Sequence, residues 1–168
     1  AHNGIVVAGL TAITLNLAFR VGSSQRRAEP LHDVQPGREL AERVTDFVEA
    51  SGAAWGARHD TIKRAAQAAM EAVEAIHAGG HGRRPTEIRG RFDEFNFDIE
   101  ILHEGPPLTL SAPARPAANL LDADDDAFEA ALEQTMAGVS HTLMQRLADR
   151  IHADQRHGRS SLRLHFDH

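Results

Sequence analysis

The sequence predicts an α/β two-layer sandwich, with helices covering one face of a sheet, and three observations predict it. Apolar residues recur at helical spacing in two consecutive stretches: Leu40, Val44, Phe47 and Val48, then Ile62, Ala66, Ala69, Val73 and Ile76. From Phe95 to Ile101 apolar and polar residues alternate, with Asn96, Asp98 and Glu100 on the polar side. The same alternation closes the chain, with Leu162, Leu164 and Phe166 opposite Arg163 and His165. A sheet that is apolar on one face needs a covering layer, and amphipathic helices supply it.

Composition sets the outer limits. The chain has 168 residues, 42% hydrophobic and 25% charged, which suits a globular domain with an appendage. Its net charge of -6 disfavours nonspecific nucleic-acid binding, and no nucleic-acid partner is expected. The absence of cysteine excludes disulfides, thiolate zinc sites and a cysteine nucleophile. None of the 11 histidines sits in a metal-ligand spacing such as H-E-x-x-H.

The first twenty residues differ in kind. Asn3 to Phe19 carries no charge and is followed by Arg20, Arg26 and Arg27. Such a run reaches the short end of the ~17–25 residues that span a bilayer. Small residues at Gly4, Ala8, Gly9, Thr11 and Ala12 suit close helix packing, and trailing arginines place the following chain on the cytoplasmic side. A signal peptide is disfavoured because no positive region precedes the run; a buried element of a water-soluble fold is the alternative. The segment is expected to be helical and poorly packed against the rest of the chain.

NGIVVAGLTAITLNLAFR resembles the last membrane helix of xanthine/uracil-type nucleobase permeases, at Gly4, Ile5, Gly9, Ala12, Ile13, Leu15, Asn16, Leu17 and Phe19. An asparagine inside an apolar span is costly, which makes the Leu15-Asn16-Leu17 step the most telling part. The resemblance covers residues 1–20.

Residues 21–37 read as a linker, with Leu31 and Val34 as candidates for a short edge strand and Pro36-Gly37 as a turn. The domain proper is expected over residues 38–168. Its first helix runs from Arg38 to Ala50 and stops at Ser51-Gly52, leaving Trp55 in a loop as a core plug. The second starts near Asp60, an N-cap candidate, and ends at Gly79-Gly80. Gly79 to Gly90 reads as a polar turn, Leu108 to Asp126 as a loop, and Ala127 to Ala137 as a helix interrupted at Gly138. A helix from Val139 to Ile151, a polar turn HADQRHGR and the closing strand complete the chain.

This order resembles the ATP-binding domains of histidine kinases, anti-sigma kinases and gyrases, of GHKL type. The resemblance implies a mixed, mostly antiparallel sheet with helices on one face. It also implies a nucleotide pocket built from three motifs. The first, E-x-x-x-N-A-x-x-H on the second helix, supplies a catalytic Glu and an Asn for Mg²⁺. Here Met70 stands at the Glu, Glu74 at the Asn, and His77 falls one position early, with Glu71 nearby. The second motif, D-x-G-x-P, reads adenine; here it is His103-Glu104-Gly105-Pro106, with His103 at the Asp and Gly105 matching. The third, G-x-G-L, bares backbone amides for the triphosphate; here Gly138 stands alone, followed by Leu143, Leu147-Ala148-Asp149, Gly158, Leu162, Leu164 and Phe166 in matching order.

Glu71, Glu74, His103, Gly105 and Gly138 are therefore the expected remnants of a degenerate nucleotide pocket, with no catalytic residue and no resident metal. The two resemblances together imply the cytoplasmic C-terminal region of a nucleobase:cation symporter in the inner membrane, whose ATPase-like domain serves regulation or interaction. The expected partners are the rest of the permease, the membrane and a second copy of the chain; no cofactor is expected. An anti-sigma-type serine kinase using ATP and Mg²⁺ is the alternative, and a soluble dimerising module is a third.

Overall fold

The computed structural model describes residues 3–22, 24–78, 82–110, 135 and 138–168, with the side chains of the first helix described over 6–15. The expected glycine stop at Gly79-Gly80, the side chain of Asn16, the loop from Ser111 to Asp126 and all but Thr135 of the expected helix Ala127 to Ala137 lie outside the described residues.

The chain opens with α1 (Asn3–Gly22) and β1 (Gln25–Pro30), continues with α2 (Arg38–Trp55) and α3 (His59–Ala78), and forms a hairpin of β2 (Arg84–Phe92) and β3 (Asn96–Glu104). A helix over 138–147, α4, precedes the closing hairpin of β4 (Arg150–Arg156) and β5 (Arg159–Asp167). The strands form one sheet in the order β1-β2-β3-β5-β4. Every pairing is antiparallel, so the expectation of a mixed sheet is corrected. The α/β class stands. Each neighbouring pair here is either a hairpin or runs in opposite directions across the sheet, and this leaves no parallel step.

The core lies between the sheet and the helices. Register places Phe97 beside Phe166, Ile99 beside Leu164 and Ile101 beside Leu162, all fully buried. Leu40, Val44, Phe47 and Val48 of α2 join them, as the helical spacing predicts, and Met144 brings α4 into the same cluster. Burying each such large apolar side chain contributes ~1.5–3 kcal/mol. The face of α3 in the core is made largely of alanines, among them Ala65, Ala68, Ala69, Ala72 and Ala75. Their small side chains let the helix sit close to both α2 and the strands, and alanine favours the helix itself.

Five local expectations are corrected. α2 does not stop at Ser51-Gly52 but runs to Trp55; both residues are buried inside it. The stop is Gly56, in the left-handed conformation at φ 75, with its N–H and that of Ala57 bonded back to Ala53 and Gly52. Trp55 therefore ends a helix rather than occupying a loop, and its ring packs against Phe92 and edge-on to Phe97. The linker contains β1, which lies upstream of Leu31 and Val34, and the polar turn after Gly79 gives way to β2 at Arg84. The stretch HADQRHGR is mostly β4, so the α4 run ends at residue 147 and Ile151 belongs to a strand. Its two-residue turn, His157-Gly158, has φ 52 and 77, the positive pair that a tight hairpin requires.

α1 stands apart. Between its described residues and the other described elements there is at most marginal contact. Val6, Val7, Leu10, Ile13 and Leu15 are each more than half exposed, as expected for an unpacked apolar helix. Among the described residues no helix is long and apolar enough to cross a membrane.

Candidate functional site

The five expected pocket residues fall into two groups. The first joins α3 to α4. The Glu71 carboxylate accepts a hydrogen bond from Ser140, two residues beyond Gly138. Burial pushes Glu71 above its ordinary value; the bond from Ser140 opposes this, and the nearby charge of Glu74 adds to the rise. Glu74 itself is exposed, one turn further along α3. Gly138 is helical and buried at the start of the described part of α4, and the residues just before it lie outside the described residues. Beside it a hollow of about 230 Å³ is lined by Gly138, Val139, Thr142, Leu143 and Arg146. That is below the ~300–1,000 Å³ typical of small-molecule sites.

The second group sits at the end of β3. His103 faces the core and is 1% exposed. Its Nδ1 lies 2.9 Å from the Glu104 carbonyl, which fixes the proton on Nδ1. Nε2 is then a bare acceptor, buried and without a hydrogen-bond partner. Burial lowers the His103 pKa; the Glu104 carbonyl opposes this, and the Arg83 charge adds to it. The ring is therefore neutral.

Gly105 has a structural reason for being glycine. Its φ is +82, and a Cβ there would lie 3.1 Å from Arg83 Cγ and 3.3 Å from Arg83 Cα. Arg83 donates to the carbonyls of Pro106 (3.0 Å) and Pro107 (3.3 Å), and Ser160 Oγ donates to the Gly105 carbonyl at 2.7 Å. These bonds hold the turn against β2 and β5, with its backbone occupied.

Glu71 is bonded to Ser140, and among the described residues no group of three His, Asp or Glu stands together to hold a metal. The arrangement offers instead one buried neutral acceptor, His103 Nε2. His141 on α4 is also buried, with Nδ1 unpartnered. A buried histidine can be read as a candidate from its place on an alternating strand; the loss of its partner cannot.

Sequence inspection missed the outer face of the sheet. Ile88, Gly90 and Phe92 point inward, so Arg89 and Arg91 between them point out. They line a hollow of about 590 Å³ together with Arg26, Arg163, Asp98 and Glu100. Glu100 is shared by Arg163 at 3.0 Å and Arg89 at 3.8 Å. Asp98 takes His165 Nδ1 at 2.6 Å. The alternation of arginines along β2 was the available signal.

No family model matches the chain, and no curated protein matches it.

Proposed function

We propose that the chain is the cytoplasmic C-terminal region of a nucleobase:cation symporter of the xanthine/uracil type, in which a histidine-kinase-like ATPase domain has lost its nucleotide chemistry and serves regulation or interaction. The observation that carries this reading is α1, a helix whose described side chains are exposed and, Thr11 and Thr14 aside, apolar, while the described strands and remaining helices bury a core of their own. The side chains of α1 are described over residues 6–15 alone, too short a stretch to cross a bilayer, and the apolar sequence on either side of it is taken as the rest of the span. Its hydroxyls are bonded within the helix, Thr11 to the Val7 carbonyl at 2.8 Å and Thr14 to the Leu10 carbonyl at 2.7 Å, so they ask nothing of water.

The domain reading is supported by the element order, with two helices, a hairpin, a helix and a closing hairpin. Gly105 follows β3, which suits the resemblance, whereas Gly138 is helical rather than the glycine break that the resemblance implies. The coding sequence upstream of Ala1 tests the proposal. Further apolar spans are expected there; a start codon next to Ala1 would overturn it.

One observation favours a second reading, in which the domain binds an aminated nucleobase. His103 Nε2 is a buried acceptor with no donor, as an exocyclic amine would need. Adenosine, which carries the amine without phosphates, is the probe that isolates this contact.

A further inference from the structure

We propose that the end of the sheet formed by Arg26, Arg91 and Phe95 docks on an anionic lipid surface. This rests on the membrane reading of α1 and adds to it the face that the domain turns toward the bilayer.

Register sets the geometry. Gln25 lies opposite Phe92 and Arg26 opposite Arg91, and β2 passes into β3 through residues 93–95. The start of β1 and the tip of the β2–β3 hairpin therefore share one end of the sheet. α1 ends at Gly22 and β1 starts at Gln25, three steps of chain that reach at most ~11 Å. Any surface that α1 enters lies within that distance of this end.

Two independent features suit it to anionic headgroups. Phe95, at the hairpin tip, is 51% exposed. A phenyl ring at an exposed tip can bury at the boundary between headgroups and acyl chains, as the apolar residues of interfacial helices do. The turn is prepared for it, because Asp93 Oδ1 accepts from the Phe95 N–H, the Asn96 N–H and the Asn96 side chain at 3.0, 2.9 and 2.8 Å. Those bonds occupy the carboxylate within the turn. Arg26 and Arg91 are like charges directly opposite each other on neighbouring strands, an arrangement that is unfavourable in water. Neither forms an ion pair among the described residues, but Arg91 has Asp98 opposite it on β3 and its charge helps lower the pKa of Asp93, so Arg91 is partly balanced and Arg26 less so; Arg91 Nε donates to Ser24 Oγ at 3.2 Å. A phosphodiester between the two guanidiniums would remove the repulsion and take charge-assisted hydrogen bonds from both. Glu94, exposed at the same tip, opposes binding, as do Asp93, held ionised by the turn, Asp98 opposite Arg91, and the net charge of -6. The attraction is therefore local to this end of the sheet.

The chain has no cysteine, so Glu94→Cys accepts a single environment-sensitive fluorophore at the tip. The whole labelled chain is reconstituted with vesicles of phosphatidylcholine alone and of phosphatidylcholine with phosphatidylglycerol. The expected result is a blue shift of the label in the anionic vesicles, absent in the neutral ones and reversed by high salt. Arg26→Gln with Arg91→Gln is expected to abolish most of the shift, and circular dichroism of that variant checks that it is folded. Emission that is equal in the two lipids, or unchanged in the double variant, while the chain floats with the vesicles would overturn the docking and leave the membrane reading standing. Failure to float with either vesicle would overturn both. A shift that grows with protein concentration in the absence of lipid would replace the bilayer with a second copy of the chain.

Discussion

Gly52 of α2 lies directly against the side chain of Ile62 of α3: a Cβ at residue 52 would stand 2.6 Å from Ile62 Cγ1 and 3.0 Å from its Cδ1. The glycine lets the two helices approach at the point where the chain turns between them. Gly52→Ala gains ~1 kcal/mol of helix propensity, but it overfills the contact at a cost of ~1–3 kcal/mol. The expected outcome is net destabilisation, read as a lower urea midpoint. Adding Ile62→Ala should restore part of the loss relative to the sum of the two single changes. Strict additivity in the double-mutant cycle would mean that the contact does not constrain the helices.

Glu71 predicts a pH-dependent difference. Its pKa is raised in the fold above the ordinary 4.5, chiefly by burial, so the folded state holds its proton more tightly than the unfolded state. The favourable contribution is complete below 4.5 and is lost as pH rises through the folded value. Glu71→Gln keeps an acceptor for Ser140 and removes the charge. Thermal unfolding should show the variant gaining on the native protein between acid and neutral pH; a gap that is constant across that range would contradict the assignment.

His103 predicts the opposite slope. Burial lowers its pKa below the ordinary 6.5, so the unfolded chain takes up the proton first as pH falls. Its contribution to stability is present above 6.5 and declines as pH drops from there toward the folded value. His103→Leu should flatten that decline in urea midpoints taken from ~pH 5 to ~pH 8. An unchanged slope would assign the acid sensitivity to other groups.

The fold was legible where burial is one-sided. Phe97, Ile99 and Ile101, or Leu40, Val44 and Phe47, announce their elements because one face of each is buried. β4 was hidden because it is an edge strand whose inward side offers only Ile151 and Ala153, half-buried among polar residues, and β1 because most of its residues are polar. Phe95 continues the alternation of β3 but belongs to the turn, because Asp93 binds the backbone there. Gly52 looked like a helix stop, since nothing in the local sequence reports the Ile62 side chain that requires it. The candidate site was legible only as residue types. That Glu71 meets Ser140, and that His103 keeps a buried nitrogen without a partner, depends on contacts between distant segments.

Nucleotide binding is expected to be weak. On the histidine-kinase-like reading proposed above, Glu74 would place a negative charge beside the triphosphate and its metal, and His103 would stand in for the carboxylate that reads adenine. Losing a hydrogen bond to a charged group costs ~1.5–3 kcal/mol, and two such losses move a micromolar dissociation constant to about the millimolar range. Calorimetric titration with Mg-ATP should give no saturable heat at micromolar concentrations. A low-micromolar constant would promote the kinase alternative.

The central claim is that α1 holds this domain at a membrane. Alkaline extraction of membranes from cells expressing the chain tests it most directly, because it strips proteins held by charge and leaves those held by an apolar helix. The chain is expected to stay in the membrane pellet, and a variant lacking Asn3 to Phe19 to appear in the supernatant. Full release of the intact chain into the supernatant would contradict the claim.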